Sequence, residues 1–215
     1  MKTISAISWE RLPRPDRANV GMWAIGLGHA LTHAYTAALY LLLPFIARDF
    51  GLSYSQIGFA LSVRQFMSTI VNLPAGIIVD TVGRRNVFLA LALLGTAVPY
   101  IVISATSRYW VLVVCMGLMG VASFLWHPAA ITSISEMYPS KRGYGLAMHE
   151  LGANLGDTMM PLLTGALLGY LTWRQVISVT VACGILAGLL VLRTVAHVRR
   201  QIDAVPRPAI SGGYL

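Results

Sequence analysis

The chain has 215 residues, 56% of them hydrophobic and 11% charged, with a formal net charge of +8 and a mean hydropathy of +0.68. That balance lies far outside soluble globular usage and points to an integral membrane protein. A charge of +8 raises nucleic acid as a partner, but the basic residues are spread over loop ends rather than gathered on one face, so no nucleic acid is expected. Cys115 and Cys183 each fall inside an apolar run and read as small packing residues. Met1 to Arg17 carries charges but no continuous apolar core, so it is not a cleavable signal peptide.

Runs long enough to cross about 30 Å of hydrocarbon at about 1.5 Å per residue occur at Val20–Ile46, Tyr54–Val79, Val87–Ile103, Tyr109–Ile134, Gly143–Leu171 and Trp173–Leu192. The expected fold is all-α: a polytopic membrane protein of six transmembrane helices. Ser53 with Gln56 has the form of a capping box and starts the second helix. Pro139 and Gly143 bracket the turn into the fifth, and the boundary between the fifth and sixth lies near Thr172 to Gln175. Twelve basic residues fall on one side of these spans and three on the other, with Arg64 inside the second helix, which places both termini in the cytoplasm. The domain reading is a cytoplasmic N-terminal segment at 1–19, the six-helix membrane domain at 20–198 and a disordered cytoplasmic tail at 199–215.

Ionisable residues are unevenly shared among the helices. The first carries His29 and His33, the second Arg64, the fourth His127, and the fifth His149, Glu150 and Asp157; the cores of the third and sixth carry none. A charge at mid-membrane costs roughly 3 kcal/mol, so Arg64, Glu150 and Asp157 must face protein or water. Helices 1, 2, 4 and 5 are therefore expected to surround something polar, with 3 and 6 outside them. His29, His33, Thr36 and Tyr40 form one stripe at i, i+4, i+7 and i+11, and Glu150, Asn154 and Asp157 form a second at i, i+4 and i+7. His33 and Asp157 fall near the bilayer centre, with His127 and Glu150 about 10 Å toward the cytoplasm by helical rise. Substrate and proton pathway candidates are thus His29, His33, Tyr40, Arg64, His127, Glu150, Asn154 and Asp157. The His29/His33 spacing suits a metal chelate but offers no obvious third ligand, so neither metal nor cofactor is expected.

Between the second and third runs lies a charged turn, Gly76-Ile77-Ile78-Val79-Asp80-Thr81-Val82-Gly83-Arg84-Arg85-Asn86, too polar for hydrocarbon. It matches the G-x-x-x-D-x-x-G-R-R pattern of the major facilitator superfamily, with Thr81 where a basic residue often follows the aspartate. Gly28-His29, Phe50 to Gln56, His127-Pro128-Ala129 and Gly152 to Gly156 with Pro161 resemble the fosmidomycin-resistance branch of efflux permeases. Of the helix-5 antiporter motif, Gly156, Pro161 and Gly165 match while Met160 and Thr164 replace glycines.

The resemblance implies the N-terminal six-helix half of the superfamily fold, a 3+3 inverted repeat, and a secondary active transporter of the inner membrane rather than an enzyme. Its partners would be a small-molecule substrate, protons, the lipid bilayer and a second copy of the chain, whose six helices complete the cavity. The gating residues carried over are Gly76, Asp80, Gly83, Arg84, Arg85 and Glu136. In them Asp80 faces the partner's fifth helix near Gly143, Arg84 pairs with Glu136, and Arg64 meets the partner's Asp157. The other reading is a non-transporting fragment or assembly partner of a larger membrane complex.

Overall fold

A computed structural model of the chain describes residues 19–203. The predicted segment 1–19 lies almost wholly outside the described residues, as does the tail beyond 203. Six α-helices follow in order: α1 Val20–Phe50, α2 Tyr54–Val82, α3 Arg85–Ser104, α4 Tyr109–Met137, α5 Arg142–Leu168 and α6 Trp173–Asp203. A 3-10 turn, Pro139–Lys141, leads into α5, and no strand occurs among the described residues. The helix α6 runs on to Asp203, past the predicted end at Leu192 and into the segment expected to be a disordered tail.

Four helices, α1, α3, α4 and α6, are long and apolar enough to cross a membrane by themselves, and α2 makes a fifth if its two parts are one span. The six spans expected from the sequence are therefore not all carried by composition. The α2 helix bends by 49° between Tyr54–Asn72 and Pro74–Val82, where a proline removes a backbone donor and crowds the preceding turn. The α5 helix falls short because it carries His149, Glu150, Asn154 and Asp157.

Local sequence decides where helices begin and end. Gly51 takes φ 64°, a left-handed cap that lets its N–H reach back to α1. At Ser53 the capping box is complete: the Gln56 N–H donates to Ser53 Oγ at 3.3 Å, and the Ser53 N–H donates to Gln56 Oε1 at 2.9 Å. Ser53→Ala should lower stability by about 1 kcal/mol, read as a fall in unfolding temperature in detergent; an unchanged midpoint would show that the cap is dispensable. Thr172 and Gln175 repeat the arrangement at the start of α6, with the Thr172 N–H donating to Gln175 Oε1 at 2.9 Å. This second cap fixes the boundary between α5 and α6 that the sequence places near Thr172 to Gln175.

The helices pair as α1 with α5, α2 with α4, and α3 with α4 and α6, while α6 also lies along α1. Two apolar clusters result. One centres on Leu39, Leu42, Ile46, Tyr100, Met116 and Ile177, the other on Ile25, Val79, Leu89, Trp126, Ile134 and Val195. Along α1, His29 and His33 lie between the residues of one cluster and those of the other. Small residues set the α1/α5 crossing. A Cβ on Gly152 would stand 3.2 Å from Gly26 Cα, and one on Gly156 would stand 3.0 Å from His33 Cβ, so the two backbones touch.

Candidate functional site

Because α5 lies directly on α1, the two polar stripes meet. His33 Nδ1 and Asp157 Oδ2 are 2.9 Å apart, the side chains 32% and 53% exposed, so the pair sits at an open face rather than in the core. One turn earlier, His29 is buried and its Nδ1 donates to the carbonyl of His149 at 2.8 Å. That bond leaves the Nε2 lone pair of His29 directed at Nε2 of His127, 3.2 Å away. The rings of His29 and His149 stack with centroids 3.6 Å apart.

His149 is committed elsewhere. The indole Nε1–H of Trp126 donates to its Nε2 at 3.2 Å, so that nitrogen is an acceptor and the proton lies on Nδ1, 3.1 Å from Glu150 Oε1. Trp126, His149 and Glu150 thus form a polar chain from the α3/α4 side to the surface of α5. The sequence shows His149 as ionisable, but neither it nor Trp126 is among the candidate pathway residues. No spacing rule links them, since Trp126 and His149 lie on different helices.

Within one chain Arg64 and Asp157 have different partners, and the pair expected with the partner's Asp157 is one between two copies. Arg64 is buried and bonds to α1 of its own chain, donating from Nη2 to Thr36 Oγ1 at 2.9 Å and from Nη1 to Tyr40 Oη at 3.3 Å. Thr36 and Tyr40 are the lower part of the predicted α1 stripe, so the stripe serves two partners: α4 and α5 through its histidines, α2 through its hydroxyls. Asn154 donates to the carbonyl of Glu150 at 3.0 Å, a bond to its own helix.

At the charged turn Gly83 takes φ 67° and closes α2, while Asp80 is exposed and Gly76 partly buried. The expected Arg84–Glu136 pair is corrected: Arg85 makes it. Arg84 is the residue before α3, with a non-helical backbone, and it is exposed; Arg85 is the first helical residue and is buried against α4. Arg85→Ala should therefore lower the unfolding midpoint more than Arg84→Ala, by about 1 kcal/mol after screening at the half-exposed Glu136. Equal effects would restore Arg84 as an equivalent partner.

The sequence offered no third ligand beside His29 and His33, and the structure brings one from α4. A ring nitrogen from each of His29, His33 and His127 lies within 4.8 Å of the other two. Away from these polar groups an apolar cavity of about 300 Å³ opens between α1, α5 and α6, lined by residues such as Leu31, Tyr35, Leu163 and Val179.

The family model of the Major Facilitator Superfamily matches residues 25–211. The inner membrane transport protein YnfM of Escherichia coli is 25% identical over 183 residues, covering 83% of this chain and 42% of that protein. A Salmonella paratyphi B protein, MdtD, by name a multidrug resistance protein, is 26% identical over 81% of this chain and 37% of its own length. The chain thus spans about two fifths of these curated relatives. In three dimensions it is similar to a bacterial homologue of the human lysosomal transporter Spinster, solved inward-facing and unoccupied, with a TM-score of 0.73, 17% identity, and coverage of 85% of this chain and 44% of that one.

Proposed function

The chain belongs to the major facilitator superfamily, and we propose that it works as a proton-coupled transporter half, moving a small solute across the inner membrane with both termini cytoplasmic. All six helices would span, α5 included, because its polar residues face protein and an aqueous cavity rather than lipid. The observation that carries the reading is the His33–Asp157 pair, an imidazole and a carboxylate on facing helices, open on one side at mid-helix.

Charged groups at that depth need a wall of protein or water on their open side. A second six-helix unit supplies it, and a second copy of this chain inserted the same way has the parallel relation of two transporter halves. Asp80, exposed at the end of α2, would then meet the positive end of the partner's α5, a favourable charge-dipole contact. Rocking of the two units would open the cavity to each side in turn, and a proton arriving at Asp157 would cancel the charge that favours the open state. The names of the relatives and the fosmidomycin-resistance resemblance favour export of small amphiphiles.

Reconstitution into liposomes with an imposed proton gradient, screened against cationic dyes such as ethidium, tests this directly. Uphill dye movement abolished by a protonophore is the expected result. Movement that ignores the protonophore would remove proton coupling. Crosslinking in native membranes should trap a symmetric dimer, and a lone monomer would remove the second copy.

A further inference from the structure

We infer that His29, His33 and His127 form a binding site for one divalent transition-metal ion, of the kind that takes imidazole ligands, such as Zn²⁺, Co²⁺ or Ni²⁺. The inference stands on local geometry and does not depend on transport. Two nitrogens bound tetrahedrally to one ion at about 2.0–2.1 Å lie about 3.3 Å apart, and the Nε2 atoms of His29 and His127 are 3.2 Å apart. Without an ion, only one proton can lie between those two lone pairs. An ion replaces that single hydrogen bond with two coordinate bonds. Apart from this contact, the other ring nitrogen of His127 is buried and has no hydrogen-bond partner among the described residues.

The outer partners fit the same reading. Ligating histidines characteristically donate their second ring N–H to a backbone carbonyl or a carboxylate, which fixes the tautomer and aims the free lone pair. His29 does the first, to the carbonyl of His149, and His33 does the second, to Asp157. Three elements of the fold converge here, because α1 supplies two ligands, α4 the third and α5 both outer acceptors. Charge agrees as well: Asp157 behind His33 and Glu150 behind His149 give two negative charges against one divalent ion. The neighbouring set of His29, His149 and Glu150 is a poorer site, since the Nε2 lone pair of His149 is already taken by Trp126. Three imidazoles favour later first-row metals over Mg²⁺ and Ca²⁺, which prefer oxygen. The open side at His33 leaves room for water as a fourth ligand.

The test is equilibrium binding of Co²⁺ to the whole chain in detergent, purified without a histidine tag. Visible d–d absorption typical of tetrahedral Co²⁺ is expected at one ion per chain, displaced by Zn²⁺ and unaffected by excess Mg²⁺. His127→Gln should abolish the bands. Asp157→Asn, at a half-exposed position that tolerates the change, should weaken binding about 10- to 100-fold, because an amide keeps the hydrogen bond to His33 but removes the negative charge that raises the basicity of that ligand. Unfolding midpoints confirm that each variant is folded, and should His127→Gln not fold, His33→Gln takes its place. An absence of bands in the unmodified protein, or wild-type affinity in Asp157→Asn, overturns the site. Because nothing is energised, either outcome leaves the transport reading untouched.

Discussion

Asp157→Asn should reduce gradient-driven flux of the solute found by the liposome screen to the leak of empty vesicles, while the protein stays folded. Asparagine keeps an oxygen that can accept from His33 Nδ1 at the observed 2.9 Å, so the α1/α5 contact survives. What disappears is the ability to alternate between a charged and a neutral state. In the proposed transporter that alternation biases the conformational equilibrium, because a state that closes the now open face around Asp157 must desolvate its charge unless a proton neutralises it. Downhill exchange, which needs no proton, should persist in the same variant. Undiminished uphill transport by Asp157→Asn would take Asp157 out of the coupling role.

Gly152→Leu should be the most damaging single change to the fold. The Cβ of any larger residue at 152 meets the carbonyl and Cα of Gly26, which are backbone atoms and cannot swing aside. Overpacking of this kind typically costs about 1–3 kcal/mol and sometimes more, and here it also forces α5 away from α1. His33 and Asp157 would separate with the helices, so function should fail together with stability. Gly117→Ala provides the contrast, since a Cβ there makes ordinary contacts of 3.4 Å with Val63 and 3.6 Å with Met67. Unfolding midpoints and expression in membranes compare the two, and similar behaviour would mean that the close α1/α5 crossing is not what holds the bundle.

What was legible in the sequence is what local chemistry dictates. The starts of α1, α2, α4 and α6 follow from apolar runs and, at Ser53, from a side chain that must satisfy a free N–H. The polar stripes on α1 and α5 follow from helical periodicity, and their contact follows from glycines on α5 that let the backbones touch. Choices between neighbours were not legible. Arg84 and Arg85 are chemically identical in the turn, and only the point at which helical geometry begins makes the second the partner of Glu136. Opposite charge points Arg64 to the partner's Asp157, whereas its bonds to two hydroxyls of its own chain carry no charge signal in the sequence. His127 joins His29 across 98 residues of sequence, a meeting that depends on the position of α4 behind α1 and that no spacing pattern encodes.

Everything rests on the α1/α5 face being wet. Reaction of single cysteines with a membrane-impermeant maleimide measures this most directly, in a background from which Cys115 and Cys183 have been removed. Asn154→Cys and Asp157→Cys should label from the aqueous phase, whereas Leu186→Cys, on the exposed apolar surface of α6, should not. Labelling at Leu186→Cys together with silence at both α5 positions would put the histidines and carboxylates against lipid and contradict the account.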